Sequence, residues 1–68
     1  MTAPIRVNGE DEPFQPMSVA ALLDARGIEL RRGLAVAVNG AVVPARFWLE
    51  TALNPGDEIE IVRPFGGG

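Results

Sequence analysis

The chain contains no cysteine, no histidine, no lysine and no tyrosine among its 68 residues. Without cysteine there is no disulfide framework, no thiolate nucleophile and no cysteine-ligated zinc site. Without histidine the usual general base and the commonest metal ligand are missing, and without lysine a Schiff base and a P-loop are excluded. Carboxylates, arginines and the chain termini are the groups left for chemistry, so we do not expect an enzyme with an internal active site.

Positive charge is not clustered in this sequence. The net charge is −3, from nine acidic residues and six arginines that are scattered along the chain. Because there is no basic stripe, a nucleic-acid partner is not expected. No apolar run approaches the length of about 18 residues that a membrane span requires, and no N-terminal stretch resembles a signal peptide. We therefore predict a cytoplasmic protein with no membrane partner.

The N-terminal segment has the pattern of a β-hairpin. Ile5 and Val7 alternate with polar residues, which is strand periodicity. The dipeptide Asn8-Gly9 predicts a tight turn because both residues tolerate positive φ. A second, irregular strand is predicted from about residue 11 to residue 15 and carries Phe14. Its nearby prolines confine this strand to the edge of a sheet.

Three consecutive acids, Glu10, Asp11 and Glu12, follow the first turn. Carboxylate clusters are candidates for cation binding because hard cations prefer oxygen ligands. Three acids in a hairpin loop are, however, far more typical of a solvated turn than of a metal site. We therefore predict that the chain holds no metal.

One short amphipathic helix is predicted over residues 19–26. Ser18 is a good N-cap, since its hydroxyl can accept a hydrogen bond from a free backbone N–H of the first turn. Gly27 stands where a left-handed C-terminal cap belongs. Three apolar residues have the i, i+3, i+4 spacing of a single helix face, namely Val19, Leu22 and Leu23. That face predicts packing against a sheet.

The second half of the chain predicts a second hairpin and a last strand. An apolar run at residues 34–38 has the length and the β-branched content of a buried strand. Asn39-Gly40 then repeats the hairpin signal. The remaining predicted elements are a short strand at 41–43, a helical turn at 45–53, a β-turn at 54–57 and a strand at about 58–63.

The predicted order of elements is β-hairpin, helix, β-hairpin, helical turn, strand and free tail. A sheet covered by one helix is an α+β layout. We expect the first and last strands side by side at the centre, with the helix across the concave face. This is the β-grasp, or ubiquitin-like, roll, with a mixed sheet of about four or five strands. Residues 1–65 form the β-grasp domain and residues 66–68 a flexible C-terminal glycine tail.

Four segments of the second half form a specific combination. They are Val36-Ala37-Val38-Asn39-Gly40, then Val42-Val43-Pro44 with Trp48 four residues on, then residues 56–62, and finally the terminal glycines. Together they resemble the thiamin-biosynthesis sulfur carriers, the ThiS family, over nearly the whole chain. One departure follows Pro44, where the family often has arginine and this chain has Ala45 and then Arg46.

The resemblance implies a sulfur carrier that works through its own C-terminal end. An adenylating enzyme of the ubiquitin-activating type would use ATP and Mg to convert the Gly68 carboxylate into an acyl-adenylate. Sulfur from a persulfide enzyme would displace AMP and leave a thiocarboxylate, which thiazole synthase would use for the thiazole ring of thiamin. Gly66 and Gly67 would thread the partner's tunnel, because glycine has no Cβ and permits close approach. The carrier itself would bind no cofactor.

Residues near the tail are candidates for partner docking. Val62 lies on the opposite strand face from the inward-pointing Ile59 and Ile61, and with Phe65 and Arg63 it would form a docking patch next to the tail. The alternative is that a loop or the neighbouring hairpin covers Val62. Aromatic residues of a small domain are more often core than contact residues, so we place Trp48 in the core.

Three other functions remain open at this point. A related carrier for molybdopterin or another pathway also ends in two glycines, although the segment from Asn39 to Pro44 favours the thiamin branch. A non-catalytic ubiquitin-like interaction domain with an inert tail predicts that deletion of Gly67 and Gly68 changes no partner interaction. A ubiquitin-like modifier joined to other proteins is the third, and the absence of lysine excludes lysine-linked chains of this protein on itself.

Overall fold

The computed structural model describes residues 2–29 and 33–63. Within these residues, five strands, one α-helix and one short 3₁₀ helix follow one another along the chain. They are β1 (Ile5–Val7), β2 (Glu10–Glu12), α1 (Val19–Ala25), β3 (Ala35–Val38), β4 (Ala41–Val42), the 3₁₀ helix (Ala45–Phe47) and β5 (Glu58–Val62). The order of elements agrees with the order predicted from the sequence.

The strands form one mixed sheet with the order β2-β1-β5-β3-β4. The first and last strands are parallel neighbours at its centre, where Arg6 lies opposite Glu58 and Val7 opposite Ile59. The antiparallel hairpins flank this central pair. The predicted β-grasp fold is confirmed, with α1 buried against the sheet through Val19, Leu22 and Leu23.

The turn of the first hairpin is the one that the sequence predicts. Asn8 and Gly9 have φ angles of 50° and 85°. Two successive residues with positive φ make the tight turn whose twist matches the twist of antiparallel strands. The two-residue turn in turn fixes the register, so that Val7 lies opposite Glu10.

The prediction for the second strand is wrong in its bounds. The sequence suggested residues 11–15, whereas β2 covers Glu10–Glu12 and Phe14 lies beyond it, partly buried against the core. The acids therefore belong to an edge strand and not to a loop, and Asp11 accepts from the Nε–H of Arg6 at 3.2 Å. A charged edge strand discourages pairing with other chains.

Helix α1 begins and ends with the predicted caps. The Ser18 hydroxyl accepts from the N–H three residues later at 3.1 Å. At the other end Gly27 has φ of 71°, and the N–H of Ile28 donates to the carbonyl of Leu23 at 3.0 Å, which is a Schellman ending. Arg26 is the C-cap and not the last helical residue. Neither α1 nor another helix among residues 2–29 and 33–63 has the length and apolarity to cross a membrane.

The core lies between α1 and the inner face of the sheet. Trp48 belongs to it, as predicted, and is 6% exposed. Its indole N–H donates to the carbonyl of Val43 at 2.7 Å, which satisfies the one polar group that burial of tryptophan brings inside. The other buried apolar residues are Ile5, Val7, Val19, Leu22, Leu23, Val36, Leu53, Ile59 and Ile61.

Strand β3 faces the core on only one side. The apolar run at residues 34–38 suggested a buried strand, but Val36 is buried whereas Ala35 is exposed. A single helix covers a single face of a sheet, so the opposite side of β3 remains accessible. The run therefore contributes both to the core and to an apolar outer surface.

The connection from β4 to β5 contains less helix than predicted. The helical turn expected over residues 45–53 is a 3₁₀ helix at Ala45–Phe47 followed by a turn. The β-turn at residues 54–57 is confirmed, because the N–H of Asp57 donates to the carbonyl of Asn54 at 3.1 Å. Gly56 supplies the positive φ, at 86°, that the third position of this turn requires.

Candidate functional site

The end of β5 is the described part of the chain that lies nearest in sequence to the predicted working end. Val62 is the last residue of the strand and is 61% exposed, so neither a loop nor the hairpin covers it within the described residues. Arg63 is also exposed. Phe65 and the three glycines, Gly66, Gly67 and Gly68, lie outside the described residues.

Val62 belongs to a larger apolar surface on the side of the sheet opposite α1. Val62 lies opposite Ala35 of β3, and Ala37 lies opposite Val42 of β4. Val42 is 74% exposed. We define these four residues as the outer sheet face. Sequence reasoning found Val62 from strand alternation, but the other three join it only through the pairing of β3 with both neighbours.

The other half of the same side of the sheet is ionic. Arg6 contacts Asp11 at 3.2 Å and Glu58 at 3.7 Å, and its side chain is 52% exposed. Exposed ion pairs contribute little to stability, so this cluster matters more for the charge it presents. Glu60, exposed on β5, lies opposite Ala37, so acidic charge borders the outer sheet face.

The start of β5 is fixed by the turn of the second hairpin. Asn39 has φ of 53°, and its side-chain oxygen accepts from the N–H of Glu58 at 2.9 Å. Its amide group donates to the carboxylate of Asp57 at 2.9 Å. Asp57 is 7% exposed and also accepts from the N–H of Asn54 at 2.8 Å. Asp57 is therefore a buried carboxylate with structural partners.

The end of β5 is fixed by the turn of the first hairpin. The side-chain oxygen of Asn8 accepts from the N–H of Ile61 at 2.8 Å, and its amide group donates to the carbonyl of Ile61 at 3.3 Å. Sequence reasoning used Asn8 only as a residue that tolerates positive φ. The contact spans 53 residues along the chain, and no local pattern reports such a distant partner.

The residues after β4 expose a second, smaller apolar area. Phe47 is 43% exposed and Leu49 is 79% exposed. The guanidinium of Arg46 lies 4.8 Å from the centroid of the Phe47 ring, within the range of a cation–π contact. The arginine that follows Ala45 in this chain is thus engaged with its own neighbour at the surface.

No metal-binding cluster is present in the part of the chain that the structure describes. There, no group of three or more His, Cys, Asp and Glu side chains could hold a metal ion. Two of the three acids of β2 have arginine partners, since Asp11 pairs with Arg6 and Glu12 with Arg26. These carboxylates are parts of surface ion pairs.

The sequence and the fold both match known proteins. The sequence profile of the ThiS family matches residues 2–68. A thiazole synthase of Paramagnetospirillum magneticum is 41% identical over 63 residues, which are 91% of this chain and 19% of that protein. The uncharacterized protein ycf40 of Porphyra purpurea is 34% identical over 67 residues, which are 94% of this chain and 90% of that protein.

The fold is similar to that of a solved thiamine biosynthesis protein (ThiS) from Geobacter metallireducens. Its crystal structure has a TM-score of 0.78 and 26% sequence identity, with 96% of this chain and 99% of that chain covered. Its solution structure gives the same TM-score and covers 87% of that chain. Since the profile match extends over nearly the whole chain, this protein belongs to the ThiS family of small sulfur carriers.

Proposed function

We propose that this chain carries sulfur on the carboxyl group of Gly68 and delivers it to a thiazole synthase in thiamin biosynthesis. The observation that carries the proposal is the ThiS family match, which runs to residue 68 and so includes the terminal glycines. A polypeptide named as a thiazole synthase contains a segment 41% identical to this chain, which supports a thiazole synthase as the acceptor. The chain is the substrate of its partners and not a catalyst.

The first step is activation of the terminal carboxyl group. An α-carboxyl group has a pKa of about 3.5, so the end of the chain is a carboxylate at neutral pH. The carboxylate oxygen attacks the α-phosphate of ATP, pyrophosphate leaves, and an acyl-adenylate forms. The adenylating enzyme holds the ATP and the Mg, and it supplies the charges that stabilise the α-phosphate and the leaving pyrophosphate during transfer of the adenylyl group.

The second step replaces AMP by sulfur. The terminal sulfur of a donor persulfide attacks the acyl carbon, and the C–O bond to AMP breaks, which gives an acyl disulfide. A thiol then attacks the donor's sulfur, so that the thiocarboxylate leaves and a disulfide forms between donor and thiol. The carrier lacks cysteine, so the persulfide and the thiol both come from partner proteins or small thiols.

The length of the segment that follows Val62 limits where the adenylating enzyme can bind. Six residues follow Val62 up to Gly68, and a fully extended chain of this length spans at most about 20 Å. A partner that surrounds the Gly68 carboxyl group therefore has its active site within about 20 Å of Val62. Because the outer sheet face includes Val62 and is apolar and accessible, we assign this face to docking of the adenylating enzyme.

The test is an intact-mass measurement after incubation with ATP, magnesium, a persulfide donor, a thiol and the adenylating enzyme of the same organism. The full chain is compared with a chain lacking Gly68 and with a chain lacking Gly67 and Gly68. A mass gain equal to one oxygen replaced by one sulfur in the full chain, and its loss in the double truncation, supports the proposal. The single truncation measures how strictly the tail length is set.

The same experiment separates the alternatives. No gain in the full chain, with the enzyme active on another carrier, would refute the sulfur-carrier chemistry and favour an interaction domain. A full-length chain that gains sulfur is then mixed with the thiazole synthase. Loss of the sulfur to that enzyme supports the thiamin pathway, and retention would contradict the proposed acceptor.

A further inference from the structure

Asn8 holds the end of β5 in a way that the fold alone does not require. Its backbone N–H donates to the carbonyl of Ile59 at 2.9 Å, which is the last backbone bond from residue 8 to β5. Its side chain then bonds both main-chain groups of Ile61, at 2.8 and 3.3 Å. One asparagine thus makes three hydrogen bonds to β5, one to Ile59 and two to Ile61.

The Asn8 side chain continues the parallel hydrogen-bond ladder between β1 and β5 beyond the point where the main chain of β1 turns away. In a continued parallel ladder, the N–H of Ile61 would donate to the main-chain carbonyl of residue 8, and its carbonyl would accept from the N–H of residue 10. The chain cannot supply these groups, because it reverses at Asn8 and Gly9 to form the hairpin. The Asn8 amide has one donor and one acceptor in peptide-like positions and replaces both.

The contact between Asn8 and Ile61 lies one residue before the end of β5 and therefore affects how the tail leaves the strand. Val62 is paired with Ala35 of β3 on one side, and Ile61 is bonded to Asn8 on the other. Ile61 is therefore held from both sides, because it also pairs with Val36 of β3, and Val62, the last residue of the strand, follows directly on this fixed residue. Without Asn8 the final residues of the strand would be held by β3 alone.

We propose that Asn8 is a positioning residue that fixes the exit direction of the tail, so that a docked carrier presents Gly68 to the adenylating active site. The inference rests on the proposed function. Asn8 lies in the hairpin turn and need not touch ATP or the reacting carboxyl group. It acts through Ile61, because each residue that is already ordered before docking removes part of the entropy cost of ordering the tail.

The second hairpin provides a matched control. Asn39 occupies the same turn position as Asn8, with φ of 53° against 50°. Its side chain also makes two hydrogen bonds near β5, but to Glu58 and Asp57 at the start of the strand. Replacement of either asparagine by glycine preserves the turn, since glycine accepts positive φ. Each replacement removes two side-chain hydrogen bonds, at opposite ends of the same strand.

The experiment compares Asn8→Gly and Asn39→Gly with the full chain in steady-state adenylation, followed by pyrophosphate release. For Asn8→Gly we expect kcat to fall about fivefold, the effect of leaving one more residue to be ordered. KM should stay unchanged, because the outer sheet face is intact. Asn39→Gly should change neither constant at a temperature at which all three proteins are folded, although it removes one hydrogen-bond donor from the buried Asp57 carboxylate.

A second measurement is independent of the enzyme. Amide hydrogen exchange in the free proteins should be faster at Ile61 and Val62 in Asn8→Gly and unchanged there in Asn39→Gly. Asn8→Asp keeps the acceptor for the Ile61 N–H but places a carboxylate oxygen against the Ile61 carbonyl in place of the donor, so it should also fall below the wild type in both measurements.

Two outcomes overturn the inference. Equal kcat values for Asn8→Gly and the wild type would show that the exit direction does not limit adenylation. Equal losses in Asn8→Gly and Asn39→Gly would show a general effect of stability and not of position. Failure of the wild-type chain to be adenylated at all would instead refute the proposed function, which keeps the two failures distinguishable.

Discussion

Replacement of Val62 by threonine tests the assignment of the outer sheet face to docking. Threonine has the same shape as valine and is also a good strand residue, so it exchanges one methyl group for a hydroxyl with little other change. Val62 is 61% exposed and lies outside the core. We therefore expect the free energy of unfolding to change by less than about 0.5 kcal/mol.

The expected loss of affinity follows from the exposed fraction of the side chain. Burial of one methyl-sized group is worth about 0.8 kcal/mol, and 61% of Val62 is still available for burial by a partner, which gives about 0.5 kcal/mol. Burial of the new hydroxyl without a hydrogen-bond partner adds about 0.5–2 kcal/mol. The sum is about 1–2.5 kcal/mol, or about a five- to sixtyfold increase in Kd.

The assay is isothermal titration calorimetry of each carrier variant into the adenylating enzyme. Leu49→Gln serves as the control, because Leu49 is 79% exposed but lies after the 3₁₀ helix and outside the sheet. We expect its Kd to equal that of the wild type. An unchanged Kd for Val62→Thr together with a weakened Leu49→Gln would refute the reasoning and move the docking surface to the residues after β4.

Two further predictions concern the stability of the body that presents the tail. Leu23 is 0% exposed, and Leu23→Ala should lower the free energy of unfolding in urea by about 2–5 kcal/mol through loss of burial and a residual cavity; a loss below 1 kcal/mol would contradict this placement. Asp57→Ala removes the carboxylate that accepts from the N–H of Asn54 and from the amide of Asn39, and should cost about 1.5–3 kcal/mol for each hydrogen bond lost to this charged group. Unchanged thermal unfolding of Asp57→Ala would contradict that network.

Local chemistry made much of the fold predictable from the sequence. Asn8-Gly9 and Asn39-Gly40 determine their turns because positive φ at two successive residues is accessible to few other dipeptides. Gly27 ends the helix for a related reason. The inward direction of Ile59 and Ile61 follows from the period of two in a strand. In each case the cause lies within a few residues of its effect.

The errors in the predicted elements arise where a residue distant in sequence, or the register between two strands, determines the structure. The strand predicted over residues 11–15 followed the hydrophobicity of Phe14, whereas the two-residue turn had already fixed Val7 opposite Glu10 and so placed the charged residues in the strand. Burial of an apolar residue is a stronger expectation than strand formation by three acids. The geometry of the two-residue turn nevertheless outweighs this expectation, because the turn sets which residues of the two strands lie opposite each other.

The candidate site was only partly predictable for the same reason. Alternation indicates which face Val62 lies on, but its exposure depends on what covers that face. Its apolar neighbours come from β3 and β4. The bond between Asn8 and Ile61 depends on the parallel pairing of the two ends of the chain. A prediction of that pairing places the asparagine near the end of β5, but the orientation of its amide requires the three-dimensional structure.

A carrier needs a stable body that supports its tail and a surface that is available to a partner, and the topology assigns these two requirements to different faces of the sheet. The strand that leads to the tail occupies the centre of the sheet. Its start has backbone partners on both sides, and its end is held by β3 and by the side chain of Asn8. The same strand alternates between two faces. Its inward residues contribute to the core, and its outward residues remain available to a partner. Changes on the outer sheet face should therefore alter docking at little cost in stability, whereas changes in the core should alter stability without altering the docking surface.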